Sequence, residues 1–574
     1  MAEKAVVEGA RRDLESWQDR AAAELERLDP FTEKLLRRHL GPRWPEVEGR
    51  LREVARSAGA GLDALVREAN RDANLPEVRR HDAVGRAVEE VVFHPAHHDA
   101  GRVFWASRVL AELAEPGNEV LAGAIAYLLD RHGEAGHACP VACTAGAVKL
   151  LQRLGTDEQQ RRFLPALLSA DYADRLHAAQ FVTEVQGGSD VGANDCRATA
   201  LPGRPGSFRI DGEKWFCSVA DAGLFVVSAR LEGGAEGTRG LGLFLVPRHV
   251  DGAVNGFALR RLKYKLGTRS MPTGEIEFEG AVGELIGPPQ QGFKNLVAIV
   301  LDTSRVHNAL AACGLMRRAL IDGHAFAAAR RAFGRPIMDY PAVQEILARM
   351  KLSTMAATAT TFRLLAMSDR LDLGRGDDDL KASRRIAVMI NKYWTARAAT
   401  DAARDGIELL GGNGTIEDFS VLPRLYRDAI VIESWEGTHN TLCAQVLRDM
   451  VGRGLHLPWL DQLRSEIGAL EHEGARAAAA LAATLLADVE DRIGRLLEED
   501  ERQASAHIRH VVDRMCRLTD WVALATQLDW ELGLGAAEEI ADALELYRLI
   551  RIEDADPQAT PSLVELNRRF SDTI

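Results

Sequence analysis

The stretch Ile432–Thr441, IESWEGTHNT, sets the carboxylate of Glu436 between the indole of Trp435 and Gly437, where a helix is expected to begin. Negative charge is favourable at a helix N-terminus. Glu436 therefore reads either as a solvated helix-start charge or as a group held there for chemistry. Four other stretches carry side chains suited to binding. FVTEVQGGSDVGAND (Phe181–Asp195) closes on small residues whose backbone N–H groups can approach an anion or a cofactor ring, although a plain turn explains it too. GEKWFCSVA (Gly212–Ala220) offers an aromatic pair and a hydroxyl that could line a planar ligand or fill a strand core. ARRAFGRP (Ala329–Pro336) offers guanidinium forks for phosphate, though arginine also suits a helix C-terminus. GIELLGGNGT (Gly406–Thr415) ends in glycines that ordinary helix capping accounts for. HPAHHD (His94–Asp99) and HGEAGHACPVAC (His132–Cys143) contain metal-ligand residue types. Neither has a second cluster at zinc spacing, so no metal site is expected.

The elements that must hold these stretches follow from periodicity. Residues 1–175 show helical spacing, as in ARRDLESWQDRAAAELERL, broken by LDPF, LGPRWP and AEPGNE. Residues 176–287 change texture to short Val-, Ile- and Phe-rich runs punctuated by Gly and Asp, which read as strands and turns. Helical patterns resume over 288–453, and an alanine-rich helical section occupies 454–574. The expected fold class is α+β and mostly α: an N-terminal helical domain, a β domain, a helical bundle and an extra helical section. With 574 residues, 46% apolar and 27% charged, the composition is that of a soluble globular protein of several domains. No run approaches the ~20 apolar residues of a membrane span, and the first residues lack the apolar core of a secretory signal. Seven scattered cysteines suit a reducing, cytoplasmic compartment. A formal charge of −13 disfavours nucleic acid and anionic membranes.

Taken together, in this order and spacing, the stretches resemble the acyl-CoA dehydrogenase family over about residues 120–450. TEVQGGSD is similar to the family's Thr-Glu-Pro-x-x-Gly-Ser-Asp signature, and ELLGGNGTIEDFSVLPRLYRDAIVIESWEGTHNT to its helix-to-catalytic-loop segment. The resemblance implies a helical domain, a central β-barrel-like domain and a four-helix bundle, with FAD between the last two. It implies Val182 and Thr183 at the pyrimidine side of the flavin, Phe216 against its ring system and the Ser218 hydroxyl at N5. Arg330, Phe333, Glu408, Gly411 and Gly412 would reach the cofactor of a neighbouring subunit in a homodimer or homotetramer. Thr438 and Asn440 would hold the adenosine diphosphate portion. Ser189, also near the cofactor, would join Asp302, Arg305 and Gly437 along the acyl-CoA or acyl-carrier-protein thioester. Glu436 would be the catalytic base, because an α-proton next to a thioester is weakly acidic and needs an aligned, desolvated carboxylate. Glu433, three residues earlier, is expected to tolerate substitution far better.

Three departures from the usual pattern stand out: Val185-Gln186 in the signature, Phe216 and Ser218 where Trp and Thr are usual, and extensions at both ends. They resemble the longer branch that includes the bacterial alkylation-response flavoprotein, to which DNA binding has been attributed. Residues 454–574 hold 12 Lys and Arg against 24 Asp and Glu, a net of −12 that repels phosphate. The expected function is therefore FAD-dependent α,β-dehydrogenation of an acyl thioester, with electrons passing to an electron-transferring flavoprotein. The alternatives are an oxidase using oxygen and a binding or protective flavoprotein.

Overall fold

The Val-, Phe- and Leu-rich runs after residue 176 pair into a sheet because branched and aromatic side chains fit a pleated, buried surface. The computed structural model describes Ala2–Ile574 and divides into two compact units. The barrel unit comprises Leu62–Glu115 and Glu134–His307; the helical unit comprises the chain up to Gly61, Pro116–Gly133 and Asn308–Ile574.

In the barrel unit, β1 (Glu77–His81) and β2 (Ala87–Val92) form an antiparallel hairpin. The helical reading of residues 1–175 missed it. The reason is local: the Asp82 carboxylate accepts hydrogen bonds from the amides of Val84 and Arg86, both at 2.9 Å, an Asx turn that folds the chain back. The main sheet contains β3 (Ala178–Phe181), β4 (Arg197–Ala200), β5 (Ser207–Ser218), β6 (Leu224–Leu231) and β7 (Leu241–Pro247). After a short hairpin, β8 (His249–Val250) and β9 (Ala253–Val254), it is completed by β10 (Phe257–Leu262) and β11 (Thr273–Leu285). Because β7 pairs with both β6 and β11, the strands β11-β5-β4-β6-β7 close on themselves as a small barrel. Phe181, Phe225, Phe244 and Phe278 fill it, with the Phe181 and Phe225 rings 4.8 Å apart.

The long helices are α1 (Asp302–Ala329), α2 (Pro341–Asp372), α3 (Asp378–Leu410), α4 (Leu422–Ser434), α5 (His439–Arg453) and α6 (Glu501–Leu532). A two-residue ribbon, β12 (Arg331–Ala332) with β13 (Arg335–Pro336), follows α1. In the helical unit, α6 of the C-terminal section packs on α2, α3 and α5. Pro289–Ala329 is long and apolar enough to cross a membrane, but 67% of its most apolar window is buried, as in a core helix.

The helical unit also buries a carboxyl group, that of Asp130. Asp130 ends the helix Glu119–Asp130, where α1 approaches so closely that a Cβ on Gly314 would lie 2.7 Å from the Asp130 carbonyl carbon. Burial pushes the Asp130 carboxyl up to about 8, above the ~3.9 of an unfolded aspartate. The folded protein then holds the proton more tightly between those values, so stability falls as pH rises from about 4 to 8. Asp130→Asn removes that fall. Its unfolding free energy should gain on the parent's from pH 5 to pH 8, at up to ~1.4 kcal/mol per pH unit; a difference independent of pH would refute the assignment.

Candidate active site

Helix α4 stops at Ser434 and α5 starts at His439, so four residues form the turn that carries Glu436. Thr438 caps α5, its side chain accepting from the Thr441 amide. Glu436 itself is left-handed, with φ 55°, and Gly437 follows at φ 103°. A left-handed conformation costs a residue with a Cβ about 1–2 kcal/mol, so the surroundings must hold it. The side chain is half-buried, with Oε2 shut from solvent.

Two buried side chains hold the turn. Lys392 of α3 donates from Nζ to the carbonyl oxygens of Glu433 and Gly437, both at 2.9 Å. These carbonyls bracket Glu436, and the first belongs to the last turn of α4, where acceptors lack helical partners and the helix dipole is negative. Asn308 of α1 donates from Nδ2 to the Ile432 carbonyl at 3.2 Å and accepts from Trp435 Nε1 at 3.3 Å. Glu433 is not the indifferent charge the sequence suggested. Its Oε1 accepts from the Thr400 hydroxyl, and its Oε2 lies 2.6 Å from His439 Nε2, so that ring nitrogen carries the proton. Burial lowers the His439 pKa despite Glu433. Glu433 therefore supports the turn.

The barrel unit builds its own loop, Val182–Asp195, around a buried ion pair. Lys214 of β5 reaches Glu184 at 2.7 Å, and both side chains are almost wholly enclosed. Glu184 also accepts from the Asp195 amide at 2.6 Å and the Cys196 amide at 3.2 Å. Lys214 donates to the Val182 carbonyl at 3.3 Å, and Asn194 to the same oxygen at 2.7 Å. The Thr183 carbonyl accepts from the Trp215 amide at 2.9 Å, which sets Thr183 beside β5. A Cβ on Gly188 would sit 2.9 Å from Thr183 Oγ1, so a larger residue there would crowd Thr183. At the end of β5, Phe216 is 54% exposed. Ser218 is half-buried, its hydroxyl 3.5 Å from that of Thr273.

The remaining candidates separate by unit. Val182, Thr183, Ser189, Phe216, Ser218, Asp302 and Arg305 fall in the barrel unit; Ser189 is exposed, Asp302 half-buried and Arg305 buried. Asp302 and Arg305 directly follow a π-helical turn, Leu296–Leu301, a wide turn often found at functional positions. Arg330, Phe333, Glu408, Gly411, Gly412, Glu436, Gly437, Thr438 and Asn440 fall in the helical unit. Phe333 is 97% exposed at φ 49° on the β12–β13 turn, and Glu408, Gly411, Gly412 and Asn440 are exposed. Four supporting residues escaped the sequence reading: Lys392, Asn308, Glu184 and Lys214. Glu184 stood within the signature and Lys214 within the Gly212–Ala220 stretch, neither marked by itself; Lys392 and Asn308 lie in ordinary helix patterns with no local signal. Among the described residues no cluster of His, Cys, Asp and Glu is arranged to hold a metal ion. His97 and His137 come together by stacking, with ring centroids 4.1 Å apart.

Three family models match the chain. The adaptive response protein AidB N-terminal domain matches residues 18–174, the acyl-CoA dehydrogenase middle domain residues 179–281, and its C-terminal domain residues 290–451. The putative acyl-CoA dehydrogenase AidB of Escherichia coli K12 is 36% identical over 388 residues, covering 65% of this chain and 69% of that protein. Acyl-CoA dehydrogenase family member 11 of Caenorhabditis elegans is 32% identical over 440 residues, covering 74% and 70%. The structure of ACDH-11 from C. elegans, solved in complex with C11-CoA, superposes with a TM-score of 0.81 at 25% identity, over 95% of this chain and 90% of that one. An acyl-CoA dehydrogenase from Bacillus anthracis, solved with FAD, shares the fold with a TM-score of 0.66 at 18% identity, over 82% and 89%.

Proposed function

The chain belongs to the acyl-CoA dehydrogenase family, on its AidB-like branch, and we propose that it is an FAD-dependent oxidoreductase that introduces an α,β double bond into an acyl-CoA thioester. The observation that carries this reading is the Glu436 turn. A half-buried carboxylate is projected on a left-handed backbone, and both flanking carbonyls are tied to one buried ammonium. A solvated helix-start charge needs none of this support.

The residues fit a flavin. Phe216 is a large aromatic side chain left half-exposed beside the half-buried Ser218 hydroxyl, a surface that a planar ring laid on it would cover. Val182, Thr183, Phe216, Ser218, Thr438 and Asn440 are the residues we assign to FAD. When bound, FAD supplies the acceptor for the hydride that leaves Cβ. Glu436 takes the proton from Cα at its carboxylate, and the electron pair released from that C–H bond forms the double bond. Ser189, Asp302, Arg305 and Gly437 are assigned to the thioester. The C. elegans relative solved with C11-CoA supports an acyl-CoA as that thioester.

The exposure of Phe333, Glu408, Gly411 and Gly412 supports a homo-oligomer in which these groups and Arg330 serve a second copy's cofactor. An electron-transferring flavoprotein is the proposed acceptor, and the seven free cysteines support a cytoplasmic location.

The test is anaerobic mixing of the purified protein with acyl-CoAs of graded length while flavin absorbance is followed. At least one chain length should bleach the flavin. A protein that takes up no FAD, or whose flavin no acyl-CoA reduces, would defeat the proposal. Reoxidation by oxygen as fast as by electron-transferring flavoprotein would make the enzyme an oxidase.

A further inference from the structure

We propose that the C-terminal helical section positions the Glu436 turn, acting through three consecutive residues of α3. The inference rests on Glu436 being the base. Successive side chains on a helix point about 100° apart, so neighbouring residues can grip different partners. Lys392 grips the turn, through the carbonyls of Glu433 and Gly437. Tyr393 and Trp394 grip α6. The Tyr393 hydroxyl donates to Asp513 at 2.5 Å, and Trp394 Nε1 donates to Asp520 at 2.8 Å.

The Asp520 attachment is buried and the Asp513 attachment partly so, and each is networked. Asp513 also accepts from Arg397 at 3.1 Å, and Arg397 donates to the Tyr393 oxygen at 2.6 Å. Asp520 accepts additionally from Thr360 of α2 at 2.9 Å and from Tyr547 at 3.0 Å. The buried Tyr393 ring meets the His439 ring edge-on, with centroids 5.2 Å apart and planes at 89°. His439 in turn holds Glu433, one of the two residues whose carbonyl Lys392 binds. The turn is thus fixed from two sides by one helix, and Tyr393 and Trp394 tie that helix to α6. A shift of α3 toward the space α6 fills would carry Lys392 with it. Misplacement of a catalytic group by about 1 Å can cost up to ~10²-fold in rate. The section acts here as a rigid brace, and Tyr393 and Asp513 are positioning residues.

The full-length, FAD-loaded protein tests this with Tyr393→Phe, which keeps the ring, and Asp513→Ala, at a partly exposed site. Each should slow flavin reduction at saturating acyl-CoA by about tenfold and change the half-saturating concentration less than twofold. Amide hydrogen exchange at residues 435–438 should accelerate while the barrel unit is unchanged. The double variant should be no slower than the slower single, because both cut one link. Arg569→Gln, which breaks an exposed pair with Asp542 elsewhere in the section, should leave rate and exchange unaltered. Parent-like rates and exchange in both test variants would overturn the brace. So would accelerated exchange spread evenly over the helical unit. If Glu436→Gln itself leaves reduction intact, the base assignment fails instead, and exchange at 435–438, which needs no catalysis, still decides whether the brace exists.

Discussion

Glu436→Gln should slow flavin reduction by every acyl-CoA at least ~10²-fold, the low end of what a positioned general base contributes. The substitution keeps the size and shape of the side chain, so the left-handed turn and its ties to Lys392 and Asn308 should survive, and FAD content should match the parent. What is lost is the ability to accept the α-proton. Glu433→Gln is a poor control, because Glu433 engages Thr400 and His439 beneath the same turn. Glu158, exposed in the first turn of the helix Asp157–Leu167, is a better one, and Glu158→Gln should leave the rate within twofold. A Glu436→Gln protein that bleaches its flavin at the parental rate would place the base elsewhere.

Lys214→Met should destabilise the barrel unit by ~3–5 kcal/mol, the usual result of stripping one partner from an enclosed ion pair. The cost arises because Glu184 remains buried, opposite an apolar side chain, while still accepting from the amides of Asp195 and Cys196. The Val182 carbonyl loses a donor as well. Denaturant unfolding should show the loss, and amide exchange should show it concentrated in residues 182–196. FAD retention should weaken along with the loop, since Val182 and Thr183, which we assign to FAD, belong to it. Replacing both partners, Lys214→Met with Glu184→Leu, should recover part of the stability, because the uncompensated charge is gone, but not the loop's order. A Lys214→Met protein as stable as the parent would mean the pair contributes nothing net.

The sequence already contained what depends on local chemistry. Glycine, aromatic and hydroxyl residues marked the two loops, and the shift from helical to strand periodicity marked the sheet. The β1–β2 hairpin escaped because Arg79, Arg80, Glu89 and Glu90 lend its strands the polarity of a helix surface, and only the Asp82 turn signals otherwise. Lys392 escaped for a different reason. A lone lysine in a long helix is nearly always a solvated one, and its burial becomes visible only when α3 is packed against the turn. Glu184 was seen as part of a signature but not as an ion-pair partner, because Lys214 lies thirty residues away in a strand whose register had to be known first. Contacts of that span cannot be read from periodicity.

The interleaving of the two units also dictates the order in which the protein can be made. The helical unit starts with the first helices, adds Pro116–Gly133 between the two barrel segments, and resumes at Asn308 only after the whole barrel unit has been synthesised. Trp17, Leu35 and Leu36 lie in its finished core, and Asp29 ends up beside Arg317. At about 5–20 residues per second, those early helices spend on the order of ten seconds or more with apolar faces uncovered before their partners leave the ribosome. The barrel unit has no such delay once His307 has emerged. Its strands are complete while Glu436, its turn and the C-terminal section are still untranslated. A ribosome stalled once His307 has cleared its exit tunnel should therefore display a protease-resistant barrel behind a protease-sensitive N-terminal segment, and it is that segment that chaperones would meet first.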